Sequence, residues 1–322
     1  MAFAILRGFS HRQREPILPA NHLHPGALPA RFRRPRVLIV GCGDVGLRAA
    51  RLLAPRVRLL ALSRDATRPP ALRAQRITPL AGDLDQPATL ARLAGLATHV
   101  LHLAPPPREG AGDARTQALA RALRRRSPPA ALVYGSTTGV YGDAQGARVA
   151  ESRPPRPQTG RAQRRAAAER AVRALGRGGV RAAILRIAGI YAPDRPNGNP
   201  RPRLLRGDPM LAAPDDVYIA HIHADDLARA CALALWRGAP QRAYNVCDDS
   251  AMKMGEYFDL AARLYTLPPL PRVSRAEAEA QLSPAFMSYL RESRRMDNRR
   301  LKRELRLALR HPTPATGLIS QP

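Results

Sequence analysis

Gly41, Gly43 and Gly46 follow the spacing G-x-G-x-x-G, with Asp44 and Val45 inside the motif. The apolar run 37–40 stands directly before them, and an Ala/Leu/Arg pattern of helical period directly after. Strand, glycine turn and helix in that order make a cradle for phosphate. Gly41 permits the tight turn, Gly43 lets a pyrophosphate approach the backbone, and Gly46 lets helix and strand pack closely. The helix N-terminus then offers unbonded N–H groups and the positive end of its dipole. The chemistry implied is dinucleotide binding.

The residues at the end of the next strand select between the two nicotinamide dinucleotides. A carboxylate there holds a ribose 2′-hydroxyl, whereas an arginine accommodates the 2′-phosphate of NADP. Here the strand ends in Ser63-Arg64, with no carboxylate before Asp65. A guanidinium can grip phosphate at two points, so NADP is favoured and NAD stays open. Asp83 either contacts the adenine or caps a helix. Leu84, and then Leu103 and Ala104 after the fourth strand, complete the expected cofactor-binding set.

These residues need a scaffold of alternating elements. Strands are expected over 37–40, 56–62, 77–81, 99–103, 131–135, 180–187, 217–223 and 243–247. Helices are expected over 89–96, 113–126 and 163–175, and another opened by Asp225-Asp226. That alternation predicts an α/β fold, a Rossmann-type doubly wound, mostly parallel sheet. Residues 192–216 carry six prolines and read as a lid-like loop. Residues 252–311 read as mainly helical. The expected division is therefore a nucleotide-binding domain over 35–250 and a small, mainly helical C-terminal substrate subdomain over 251–322. Residues 1–34 read as a disordered basic leader, or as the product of a start assigned too early.

The net charge is +28, and all but two of the 53 cationic residues are arginine. Such a charge ordinarily implies a nucleic-acid partner. Here it is spread over nearly every segment, aromatics are only 4%, and no nucleic-acid-binding module is visible. A compositional bias toward Arg, Ala and Pro accounts for it, leaving non-specific adhesion to polyanions as a remote alternative function. Cys42, Cys231 and Cys247 are too scattered for a disulfide framework, which points to a reducing compartment and a cytoplasmic location. No stretch approaches the ~20 apolar residues of a membrane span.

Three further patterns suggest other chemistry. His221-x-His223-x-Asp225-Asp226 resembles a metal cluster, but the two aspartates are better used to open a helix, and no metal is expected. Gly135-Ser-Thr137-Thr-Gly139 imitates a nucleophile elbow, yet a turn rather than a helix follows it. The basic run 291–310 reads as a solvated helix face, with Asp297 or Asn298 as its N-cap.

Taken together, several motifs occur in one order: Gly41 to Gly46, Gly82-Asp83, Tyr134 to Gly142, Leu185-Arg186 through Tyr191-Ala-Pro193, His221 to Leu227, and Tyr244-Asn-Val246. Over roughly residues 36–250 the chain resembles the extended short-chain dehydrogenase/reductase superfamily of the NAD-dependent epimerase/dehydratase type. The resemblance implies hydride transfer at a nicotinamide, often on nucleotide-sugars, with a small-molecule substrate as partner and a homodimer as a candidate assembly. It places Thr137 and Ser136 at the family's hydroxyl position, and Arg186 and Tyr191 where the substrate pocket is shaped.

The chain departs from the family at one point. Members carry a Tyr and a Lys four residues apart on the helix after the fifth strand. Counting back from Glu169, Arg161 and Arg165 stand there, and no Tyr occurs between Tyr141 and Tyr191. Arg165 can replace the lysine's charge toward the cofactor ribose. Arg161 stays protonated at neutral pH and cannot supply a proton. Tyr141 and His223 are the candidates for that role. A catalytically silent NADP-binding sensor or scaffold is the alternative.

Overall fold

The computed structural model describes residues 34–196 and 198–319. The expectation for 1–34, apart from Arg34, lies outside the described residues.

Apolar β-branched runs and alanine-rich helices alternate as their periodicities require. In chain order the elements are β1 (Arg36–Val40), α1 (Asp44–Leu53), β2 (Arg58–Ser63), α2 (Pro69–Ala74), β3 (Ile77–Ala81), β4 (His99–His102), α3 (Ala114–Arg124) and β5 (Ala131–Thr137). Next come β6 (Arg148–Val149), α4 (Gly160–Arg177), β7 (Arg181–Ile187), β8 (Gly189–Tyr191), α5 (Arg201–Arg206), β9 (Met210–Leu211), β10 (His221–His223), α6 (Ala224–Arg237) and β11 (Arg242–Val246). The remainder is α7 (Met254–Leu264), β12 (Arg272–Val273), α8 (Arg275–Gln281), α9 (Pro284–Leu290), β13 (Arg295–Met296), α10 (Arg299–Leu305) and α11 (Pro314–Gly317).

Seven strands form one sheet in the order β11-β7-β5-β4-β1-β2-β3, and every pairing in it is parallel. The fold is the expected Rossmann-type α/β architecture. Successive residues of β1 alternate between its faces: Val37 and Ile39 pack with α1 and α6, Leu38 and Val40 with α3 and α4. The order in which strands are added reverses between β1 and β4, and ligands of open α/β sheets bind at the strand ends beside such a point.

A third apolar cluster forms the small body. It draws on Tyr191, Leu204, Met210 and Val217, on Tyr257, Phe258 and Ala261 of α7, and on Met287 and Leu290 of α9. Met296, Leu301, Leu305 and Leu307 instead join the main core. Residues on both sides of 250 thus contribute to each of these two clusters.

Local corrections follow from side chains finding partners elsewhere. The segment expected as a helix at 89–96 is a 3-10 turn, Pro87–Leu93. The strand expected over 217–223 shortens to β10, which pairs with β8, while Tyr218 makes only an isolated bridge to Lys253. The 192–216 segment is not wholly irregular, since it contains α5 and β9. The basic run 291–310 is not one helix: only 299–305 is helical. Asn298 makes no capping bond there, because its amide serves Cys247 O and Asp248 O at 3.1 and 3.0 Å. Asp297 accepts the Arg299 N–H instead, at 3.0 Å.

Candidate functional site

The glycine turn closes β1 onto α1. Gly41 has φ +87°, and a Cβ there would lie 2.4 Å from Ala104 N. A Cβ on Gly46 would lie 3.0 Å from Gly41 O, but one on Gly43 would meet nothing within 4 Å. Gly43 is therefore the open position, and it lines a cleft of about 840 Å3. The first three amides of α1 have no acceptor within their own helix. An anion fits against them, and the space a Gly43 side chain would fill is the room a pyrophosphate needs.

Of the expected site residues, the cleft brings together Gly41, Gly43, Asp44, Val45, Gly46, Leu103, Ser136, Thr137, Arg165 and Tyr191. Thr137 ends β5 and accepts the Gly139 N–H at its Oγ1, 3.2 Å away, which leaves its own proton to donate. Ser136 is buried and donates to Glu169 Oε1 at 2.7 Å. Arg165 Nη1 donates to Gly135 O at 2.7 Å and to the Tyr134 hydroxyl at 3.2 Å. Asp44 is held by Arg48 and Arg195. The Tyr191 hydroxyl donates to Thr313 O at 3.1 Å, and burial pushes this phenol well up.

Eight expected residues do not line the cleft: Ser63, Arg64, Asp83, Leu84, Ala104, Tyr141, Arg186 and His223. Tyr141 is fully buried, donates to Asn245 Oδ1 at 2.7 Å, and has its phenol raised by burial. His223 is a helix cap: its Nδ1 accepts the Asp225 N–H at 3.2 Å, and burial lowers its ring to about 4. Arg186 is spent in the interior on Glu169. Arg64 projects into solvent with 68% of its side chain exposed, 3.9 Å from Asp85.

At the end of β2, Ser63 Oγ donates to Asp65 O at 3.1 Å. Asp83 accepts the Asp85 N–H at 3.0 Å, Leu84 packs against the sheet core, and Ala104 backs Gly41. The guanidinium nearest the glycine turn belongs to Arg68, whose Nη2 donates to Cys42 O at 2.7 Å. Sequence reasoning missed it, because one arginine among so many gives no local signal.

Two other cleft residues were also unforeseen. His221 lines the cleft, stacked 4.2 Å from the Tyr257 ring, and burial lowers it to about 4. Tyr289 of α9 lines it too, with the Arg161 guanidinium 4.2 Å over its ring. The lining is rich in arginine, with Arg195, Arg203, Arg206 and Arg294, the last paired with Glu292 at 2.6 Å. Ligand atoms of His223, Asp225 and His311 lie within 4.8 Å of one another. However, His223 Nδ1 is used by the helix, and Asp225 Oδ1 accepts from Arg48 at 2.6 Å.

A parallel sheet with an open glycine turn at its switch point defines a dinucleotide-binding α/β protein. More specifically, the chain belongs to the NAD dependent epimerase/dehydratase family, whose model matches residues 37–247. It is similar to a functionally unknown conserved protein from Silicibacter pomeroyi, with 30% identity and a TM-score of 0.72 over 88% of this chain and 96% of that one. It is 31% identical over 171 residues to the YeeZ protein of Escherichia coli K12, spanning 51% of this chain and only 58% of YeeZ. MoeE5, solved with UDP-glucose and NAD, shares the fold at 23% identity and TM-score 0.68, covering 88% of this chain and 97% of MoeE5. Among the described residues, no helix is long and apolar enough to cross a membrane.

Proposed function

We propose that the protein is a nicotinamide-dependent oxidoreductase or epimerase acting on a small anionic or sugar-nucleotide substrate, with NADP preferred and NAD as the alternative. One observation carries the reading: a single cleft joins the open glycine turn, the Thr137 hydroxyl and an arginine-rich wall. The bound nicotinamide would supply or take the hydride. The α1 N-terminus and Gly43 hold the pyrophosphate, and Arg68 replaces Arg64 as the arginine for a 2′-phosphate. Arg165 carries positive charge to the ribose side, and Thr137 donates to a substrate oxygen. Arg195 and Arg203, which line the same cleft, would face a substrate phosphate, and MoeE5, which shares the fold, was solved with UDP-glucose. Three buried free cysteines suit a cytoplasmic setting.

A silent NADP-binding sensor is the second reading. It is favoured by Arg161, which takes the place of the family's tyrosine and cannot donate a proton at neutral pH.

Titration of the nicotinamide fluorescence of NADPH and NADH tests the proposal. Wild type should bind NADPH more tightly. Arg68→Ala should lose roughly 1.5–3 kcal/mol toward NADPH alone, the usual worth of a hydrogen bond to a charged group. Binding of neither nucleotide by folded protein overturns the reading. Binding of both, with no response to any sugar nucleotide or carbonyl compound, selects the sensor.

A further inference from the structure

The cleft-facing turn of α4 offers two guanidinium groups, Arg161 and Arg165, and no side chain able to give up a proton near neutral pH. Hydride transfer to a carbonyl nevertheless leaves negative charge on oxygen, which a positioned acid must neutralise. We propose that Tyr289, delivered from α9 of the small body, is the catalytic proton donor, with Arg161 as its positioning residue. This rests on the nicotinamide-dependent reading above.

The geometry supports it in three ways. First, Arg161 Nη1 donates to the Tyr289 hydroxyl. The phenol oxygen thus lies within a hydrogen bond of the side chain that replaces the family's tyrosine. Because that oxygen is accepting from Arg161, its own proton is free to point elsewhere. Second, α9 is fixed from behind. Ser283 caps it, accepting the Phe286 N–H at 3.3 Å, while Met287 and Leu290 are buried in the small body's core. Tyr289 lies between them in sequence and is 41% exposed, lining the same cleft as Thr137 and Gly43. Third, neighbouring candidates are committed. The Tyr191 hydroxyl is bonded to Thr313 O, and Tyr257 is buried in its stack on His221. His221 itself is held neutral by burial.

In the reducing direction a bound dihydronicotinamide would supply the hydride that forms the C–H bond at the carbonyl carbon. The carbonyl π pair moves to oxygen, which takes the proton as the Tyr289 O–H bond breaks. The phenolate left behind is paired with the Arg161 guanidinium. Alcohol oxidation reverses each movement. An epimerase runs both directions on opposite faces of one carbon. Thr137 donates to the same oxygen and orients it.

Nitration by tetranitromethane, mapped by peptide mass spectrometry, tests the placement. Tyr289 should be nitrated in free protein and protected at least tenfold by saturating NADP+ with UDP-glucose. Tyr289→Phe should bind NADPH and UDP as wild type does. It should lose ~100-fold or more of the substrate-driven nicotinamide absorbance change, the usual worth of a general acid. Arg161→Lys should restore much of what Arg161→Gln loses. Unprotected Tyr289 in protein that binds both ligands overturns the proposal, as does a Tyr289→Phe rate within twofold of wild type. So does a loss confined to Tyr218→Phe, the comparison at another cleft tyrosine. Failure of wild type to bind NADPH at all overturns the functional reading itself, and the assignment with it.

Discussion

Glu169 and Arg186 meet at two points inside the protein: Nε donates to Oε1 at 3.1 Å and Nη2 to Oε2 at 2.8 Å. Both side chains are almost wholly buried, and the Ser136 hydroxyl shares Oε1. The pair ties α4 to β7 beneath the end of β5, which fixes the height of Thr137 at the cleft floor. Removing one partner strands a buried charge at a cost of about 3–5 kcal/mol. Glu169→Gln should therefore lower the urea midpoint sharply. The double change Glu169→Leu with Arg186→Met should recover most of the loss, since an apolar pair of similar volume is often neutral.

The glycine turn separates binding from folding. Gly43→Ala adds a methyl where nothing stands within 4 Å, so thermal stability should hold while NADPH affinity falls tenfold or more. Gly41→Ala places its methyl 2.4 Å from Ala104 N at a positive φ, so the fold itself should weaken. Melting curves and fluorescence titrations on the two variants read these effects separately.

Asp248 gives the protein an unusual dependence on pH. The residue is 2% exposed, and one carboxyl oxygen has no hydrogen-bond partner among the described residues. Burial, with smaller help from Asp249, raises it from 3.8 to about 7. Between those values the folded protein keeps a proton that the unfolded chain releases, so this group's contribution falls as pH rises to about 7, then levels off. His221 and His223 act oppositely, since burial lowers both from 6.5 to about 4. Their stabilisation is present above 6.5 and lost as pH falls through about 4. Asp248→Asn removes only the first slope. Its urea midpoint should exceed that of wild type at pH 8, with the gap closing toward pH 4.

The succession of strands along the chain and the glycine turn were legible because both depend on neighbours in sequence: a run such as Val37-Leu38-Ile39-Val40 beside such a turn reads as a buried strand. What escaped was set by contacts across the chain. Arg161 and Tyr289 lie 128 residues apart, and no local period announces their meeting. Arg64 was chosen because position at a strand end is visible, whereas the approach of Arg68, at the start of α2, to Cys42 O is not. Tyr141 and His223 were misplaced for the same reason. The polar atoms that looked available for chemistry satisfy Asn245 and the first turn of α6.

The return of Met296, Leu301, Leu305 and Leu307 to the main core also governs the order of assembly during synthesis. A ribosome must make α7, α8 and α9 before it reaches the residues that finish the nucleotide-binding layer. The first core is therefore complete only after 296–307 have been made, by which point α9, with Tyr289, has already been synthesised.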